Sequence, residues 1–125
     1  MAYLTPTDEQ REEFAEHSYD GVIWMWNLLR FTDAGSDSYQ RYVEEVTPLV
    51  EKRGGRVLIR SRGQATFIGP DTWDEALVIE YPSRAAFLDM IGSTEYQAIG
   101  HFRQDAIVDS RLYMTSELGP LGESG

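Results

Sequence analysis

Cysteine is absent from the 125-residue chain, which excludes disulfides, thiolate nucleophiles and cysteine-ligated metals. Lysine occurs once, as Lys52 in the charged run Glu51-Lys52-Arg53, so no desolvated Schiff-base lysine is expected. No apolar stretch approaches the roughly 20 residues needed to cross a bilayer. The longest, Val22 to Trp26, is strand-sized. The opening Met1-Ala2-Tyr3-Leu4-Thr5-Pro6 has no basic region followed by an apolar run, so no leader peptide is expected. Gly54-Gly55 is not followed by Lys-Ser/Thr, and neither G-x-G-x-x-G nor G-x-S-x-G occurs. Asp33 to Asp37 lacks calcium-loop spacing. The two histidines, His17 and His101, lie far apart without a local ligand cluster, so no metal site and no cofactor is expected.

Acidic residues outnumber basic ones 21 to 11, for a formal net charge of −10. Such a chain is repelled by phosphate backbones and anionic lipid, so neither nucleic acid nor membrane is an expected partner. The lack of cysteine fits a reducing compartment, and a cytoplasmic location is expected. The length suits one domain.

Residues 1–20 read as an N-terminal extension with a short helix, since Thr7 and Gln10 have capping-box spacing and Asp8 and Glu9 suit a positive helix end. Residues 22–31 are β-branched, aromatic and almost continuously apolar, the pattern of a strand buried on both faces. A helix follows from about Tyr39 to Lys52, capped by Ser36 or Ser38, with Tyr39, Tyr42, Val43, Val46, Leu49 and Val50 on one stripe. Pro48 should bend it, and Gly54-Gly55 should stop it. A second strand is predicted from Arg56 to Ile68 with a bulge at Gly63, and a third from Glu75 to Tyr81. Pro82 ends that strand, and Ser83 caps a helix from Arg84. The helix breaks at Gly92-Ser93 and restarts on a Thr94/Gln97 capping box. Arg111 to Thr115 is a short fourth strand, and residues 117–125 read as a flexible tail.

The order is βαββαβ over residues 21–116 with an extra helix in front, which predicts an α+β ferredoxin-like fold. Right-handed crossovers put both helices on one sheet face. The strands carry apolar residues at both parities, so the bare face needs a cover. A second subunit meeting it face to face, closing a dimeric α+β barrel, supplies one.

Four local patterns resemble a known family: Asn27-Leu28-Leu29-Arg30-Phe31; Gly54-Gly55-Arg56-Val57-Leu58; Glu80-Tyr81-Pro82-Ser83 with Ala86-Phe87; and Glu95-Tyr96-Gln97 with Arg103. In these the chain is similar to the bacterial domain-of-unknown-function family thirteen-thirty, within the dimeric α+β barrel superfamily. That resemblance implies a homodimer and a pocket between the sheet and its own helices. It implies no reaction: the superfamily includes cofactor-free monooxygenases, isomerases, cyclases and haem enzymes, and no catalytic set of theirs matches here.

The candidate site residues each carry two readings. Asn27, the sole asparagine, sits in an apolar strand; it either orients a ligand oxygen or satisfies a strand irregularity. Trp24 and Trp26 share one strand face, with Asn27 on the other, and either line an aromatic pocket or fill a dimer interface. Tyr42 and Tyr96 suit a pocket wall, and Tyr39 shares their amphipathic chemistry. Arg103, two turns after Tyr96, either grips a substrate carboxylate or pairs with Glu80. Arg56, Arg60 and Arg62 share one parity on the second strand, and either attract an anion or form ion pairs. Arg30 is a further substrate-binding candidate. His101 is the plausible imidazole base, with Asp105 four residues on to orient it.

Two functions follow as expectations. One is a cofactor-independent isomerase, cyclase or monooxygenase-like enzyme on a small, partly aromatic or unsaturated organic acid or ketone. Asn27 then polarises an oxygen, an arginine holds the anionic end, and His101 or Glu80 moves a proton. The alternative is a non-catalytic homodimer that binds a metabolite or a protein.

Overall fold

A computed structural model of the chain describes residues 2–119. The elements run α1 (Asp8–Glu16), β1 (Ile23–Phe31), α2 (Gly35–Lys52), β2 (Arg56–Arg62), β3 (Glu75–Tyr81), α3 (Arg84–Ile91), α4 (Thr94–Ala106) and β4 (Ile107–Thr115). The four strands form one sheet in the order β2-β3-β1-β4, antiparallel at every pairing, as the ferredoxin-like fold requires. Among the described residues no helix is long and apolar enough to cross a membrane.

The helices cover one face only. Ile23, Met25 and Leu29 of β1, with Leu77, Ile79 and Tyr81 of β3, are buried against Tyr39, Tyr42, Val46 and Val50 of α2 and Met90 of α3. Each such aliphatic side chain contributes about 1.5–3 kcal/mol by leaving water. The alternate residues, Trp24, Trp26, Leu28 and Arg30, lie on the open face and remain half-exposed. Strand β1 is therefore not buried on both faces within this chain; the continuous apolar run reflects two different environments.

Local chemistry explains most boundaries. Thr7 and Gln10 form the expected capping box, and Ser83 accepts from the Ala86 N–H. Gly54, at φ 81°, closes α2 as expected. Four expectations are corrected. Helix α2 begins at Gly35, without a side-chain cap, so neither Ser36 nor Ser38 caps it; Ser38 instead donates to the Phe102 carbonyl of α4. Strand β2 ends at Arg62, and residues 63–74 form a loop whose base closes through Gly63 N–H to the Asp74 carbonyl, 2.8 Å. Ser93, not Thr94, caps α4 through the Tyr96 N–H, while Gln97 donates to the Ile91 carbonyl. Strand β4 begins at Ile107, four residues earlier than expected, because pairing with β1 overrides the polar Asp109-Ser110 sequence.

A register shift between Val57 and Ile59 also corrects the arginine stripe. Arg56 lies opposite Glu80 on the open face, whereas Arg60 and Arg62 lie opposite Leu77 and Glu75 on the helix side. One inserted residue flips every later side chain.

The N-terminal segment is fastened at both ends: the Tyr3 N–H donates to Asp109 and the Tyr3 carbonyl accepts from Ser110 of β4. Arg84, the first residue of α3, donates to the carbonyls of Phe14, Ala15 and Tyr19, and Phe14 meets the ring of Phe87 edge-on at 5.4 Å. The tail expected over 117–125 lies partly outside the described residues, which end at 119.

The start of α2 and the end of α4 meet at Gly35, where a Cβ would lie 2.0 Å from the Ala106 carbonyl oxygen. Helix propensity favours Gly→Ala by about 1 kcal/mol, but here backbone must move. Gly35→Ala is therefore expected to destabilise the fold by about 1–3 kcal/mol. A rise in the urea midpoint would show that the two helices separate without cost.

Candidate functional site

The chemistry-bearing residues divide between the two faces of the sheet. On the helix side, aromatic rings form a ladder: Phe31 to Tyr39 at 5.3 Å, Tyr39 to Tyr42 at 5.3 Å, and Tyr42 to Tyr96 at 6.2 Å. The helical stripe of α2 supplies the middle of this ladder, and Tyr96 closes it from α4. The Tyr42 and Tyr96 hydroxyls are 2.9 Å apart and share a hydrogen bond. The Tyr39 hydroxyl, by contrast, is fully buried and has no hydrogen-bond partner among the described residues. Leaving a buried donor unmade costs about 1–3 kcal/mol, so native structures rarely tolerate it.

Arg103 lies beside this ladder. It is half-buried on α4, and among the described residues it enters no ion pair or side-chain hydrogen bond. Burial pushes the Tyr39 and Tyr42 hydroxyls well above the ordinary tyrosine pKa, and the Arg103 guanidinium pulls both part of the way back. Burial likewise raises Tyr81. Tyr96 and Arg103 reach the surface together with Gln97, Gly100, His101 and Gln104, around a depression of about 290 Å³. All six of these residues belong to α4. Arg103 does not pair with Glu80, which corrects that structural reading.

Asn27 also faces the helix side, buried opposite Leu77, and its Nδ2 donates to the Leu77 carbonyl at 3.2 Å. Arg60 is committed: Nε and Nη2 hold the two oxygens of Glu75, and Nη1 donates to Gln40. His101 is exposed on α4, its ring 4.1 Å from that of Phe102. Among the described residues no hydrogen bond or ion pair joins it to Asp105, so Asp105 does not orient it.

The open face holds the remaining candidates. The Trp24 indole N–H donates to Glu80 at 3.0 Å, and Arg56 donates to the other oxygen. These two donors hold the Glu80 carboxyl below the usual range. Trp26 donates to Thr115 at 2.7 Å. Arg30 donates twice to the Thr72 carbonyl, lies 3.7 Å from Asp109, and stacks on Trp73. Glu80 is thus across the sheet from Asn27, and the two cannot act on one small molecule. Sequence reasoning missed Tyr39 as the unsatisfied group; its sole trace was its place on the apolar stripe. Among the described residues no three His, Asp or Glu side chains converge as a metal site.

Residues 23–115 match the family described as Domain of unknown function (DUF1330). The chain belongs to the DUF1330 family. No curated protein matches it. Its structure is similar to that of a protein of unknown function from Rhodopseudomonas palustris, with TM-score 0.89 and 32% identity over 96% of this chain and 100% of that one. At the level of fold, this DUF1330 chain is also similar to SnoaB, a cofactor-independent oxygenase from Streptomyces nogalater, with TM-score 0.58 and 8% identity over 84% of this chain and 100% of that one. A dimeric ferredoxin-like protein of unknown function from Thermobifida fusca gives TM-score 0.54 and 14% identity, over 82% of this chain and 98% of that one.

Two measurements check the geometry of this DUF1330 site. Tyr39→Phe deletes a buried hydroxyl that bonds to nothing among the described residues, so it is expected to stabilise the fold by about 1–2 kcal/mol. Tyr42→Phe breaks a formed bond and is expected to cost about 0.5–1.5 kcal/mol. Equal urea midpoints for the two variants would show that the hydroxyls are equivalent. The raised tyrosine pKa values set an alkaline limit. The folded state keeps these protons after the unfolded state releases them, so their contribution is intact below about pH 10 and is lost as pH rises further. Urea midpoints should fall steadily above that pH, and flat midpoints would mean the phenols are hydrated.

Proposed function

We propose that this protein is a homodimeric small-molecule-binding domain that takes a compact organic anion at the depression on α4. One observation carries the reading: a half-buried arginine, without an ion pair or hydrogen bond among the described residues, lines that depression beside Tyr96 and His101. A carboxylate there gives Arg103 the counter-charge it lacks. The aromatic ladder supports an unsaturated or aromatic body for the ligand.

His101 borders the same depression and offers its imidazole to a bound molecule. It is the proton carrier in a cofactor-independent enzymatic reading, of the isomerase or cyclase kind. Asn27 is buried in the sheet beneath the helices, bonded to the Leu77 carbonyl, and does not line the depression. The non-catalytic reading is favoured by a different observation, the position of Glu80 on the opposite face.

The homodimer is supported by the open face. Ile59, Val78, Trp26 and Tyr113 form one apolar row across all four strands, with Ile59 and Tyr113 exposed at its ends. Polar pairs frame the row, as at stable interfaces.

The test is a binding screen of small aromatic and unsaturated acids by native mass spectrometry. The wild-type protein is expected to appear as a dimer that retains an acid. Arg103→Gln should weaken binding about 10- to 100-fold, the range for losing a charged hydrogen bond. Retained affinity in Arg103→Gln would sink the site. Substrate turnover that His101→Gln abolishes without loss of binding would favour the enzyme; binding without turnover would favour the module.

A further inference from the structure

The loop joining β2 to β3, residues 63–74, is built as a finger. At its base Gly63 and Trp73 lie so close that a Cβ on Gly63 would sit 1.7 Å from the Trp73 carbonyl oxygen. Higher up, Thr66 Oγ1 donates to the Asp71 carbonyl at 2.6 Å. Gly69, at φ 102°, turns the tip in a conformation that other residues rarely adopt. The shape is therefore set before anything binds. At the tip stand two large apolar side chains, Phe67 at 98% exposure and Ile68 at 87%. Scattered surface leucines and valines need no explanation. An adjacent phenylalanine and isoleucine, both held fully in water by a hydrogen-bonded loop, do.

The root of the finger is fastened to the open face of the sheet. The Trp73 ring lies 5.1 Å from the guanidinium carbon of Arg30 and 5.1 Å from that of Arg111. Arg30 and Arg111 both belong to that face, since Arg30 pairs with Asp109 and Arg111 with Leu28 in the register. The finger thus continues the surface on which the apolar row lies.

Charge selects the occupant. The chain carries −10, so a second copy is repelled by most of the surface. The open face is the exception: its strands hold three arginines, Arg30, Arg56 and Arg111, against two carboxylates, Glu80 and Asp109, for one net positive charge. The finger, residues 63–74, carries two charged residues, Asp71 and Asp74, and Asp74 accepts from the Phe31 N–H at the root. Size points the same way. Four strands about 4.8 Å apart, paired over seven residues rising about 3.3 Å each, give a planar footprint of about 440 Å². A standard interface takes about 800 Å² per partner. A flat footprint of that size leaves room for contacts beyond the sheet face itself.

We propose that Phe67 and Ile68 form an arm that docks on a second copy of this chain, extending the contact between open sheet faces. The proposal rests on the homodimer reading above and adds to it that the partner's surface, not the finger's own domain, buries these two side chains. The finger is preorganised, so docking orders nothing new.

The absence of cysteine makes the test clean. An Ile68→Cys variant, labelled with a benzophenone maleimide, is mixed as heavy-isotope and normal protein and illuminated. Heavy-to-light cross-linked peptides are expected. Phe67→Ser combined with Ile68→Ser, both at exposed positions, should keep the far-ultraviolet circular dichroism spectrum and weaken the dimer by about 10- to 100-fold, the range for central apolar anchors. Tyr113→Arg, on the sheet face itself, reports on the interface independently of the finger and should dissociate the dimer. A dimer of unchanged affinity in the double serine variant, with cross-links confined within one chain, overturns the arm while leaving the homodimer standing. A wild-type protein that sediments as a monomer overturns both.

Discussion

A four-stranded antiparallel sheet with helices on one side has two faces that obey different rules, and the rest of this structure follows from that. Side chains alternate along each strand, so every strand must satisfy a dry face and an open one at once. On the dry face of β1 stand Ile23, Met25, Asn27 and Leu29; on the open face stand Trp24, Trp26, Leu28 and Arg30. The helices can then deliver tyrosines and an arginine only to the first set. The second set is left for whatever meets the sheet from outside. A single register shift in β2 is enough to send Arg56 to one world and Arg60 to the other.

The helix-side site is formed by contacts far apart in sequence. Tyr39 and Tyr42 come from α2, Tyr96 and Arg103 from α4, and the two helices pack together over the sheet. Within that packing most polar groups are satisfied locally. Arg53 holds Asp89, Arg60 holds Glu75, and Arg84 holds three carbonyls of the N-terminal segment. Among the described residues Arg62 and Arg103 are the arginines without such a partner, and Arg62 is exposed at the end of β2 whereas Arg103 is half-buried; the Tyr39 hydroxyl is likewise unpaired. Departures from a rule that the rest of the molecule obeys are where function is to be sought.

Fold and function separate here as they do in other superfolds. The ferredoxin-like frame is shared with proteins at 8% and 14% identity, too distant to carry residue roles. The family itself is defined over residues 23–115, which leaves out α1. That helix carries no buried residue and is fastened from the body of the domain by Arg84. Its attachment is an addition to the frame rather than part of it.

The order of elements was legible in the sequence because it depends on local physics. Periodicity marks α2, β-branched and aromatic runs mark β1 and β3, and caps or glycines mark their ends at Thr7, Ser83 and Gly54. The aromatic and arginine candidates were also visible as residue types. Their grouping was not. The parity that separates Asn27 from Trp26 is written in the chain, but which parity meets the helices is decided by packing. The bulge in β2, the early start of β4, the empty bond of Tyr39 and the exposed finger at Phe67 have no local signal. Each arises from where another strand or helix lies, and hydrogen-bond partners distant in sequence can be counted only once the chain is folded.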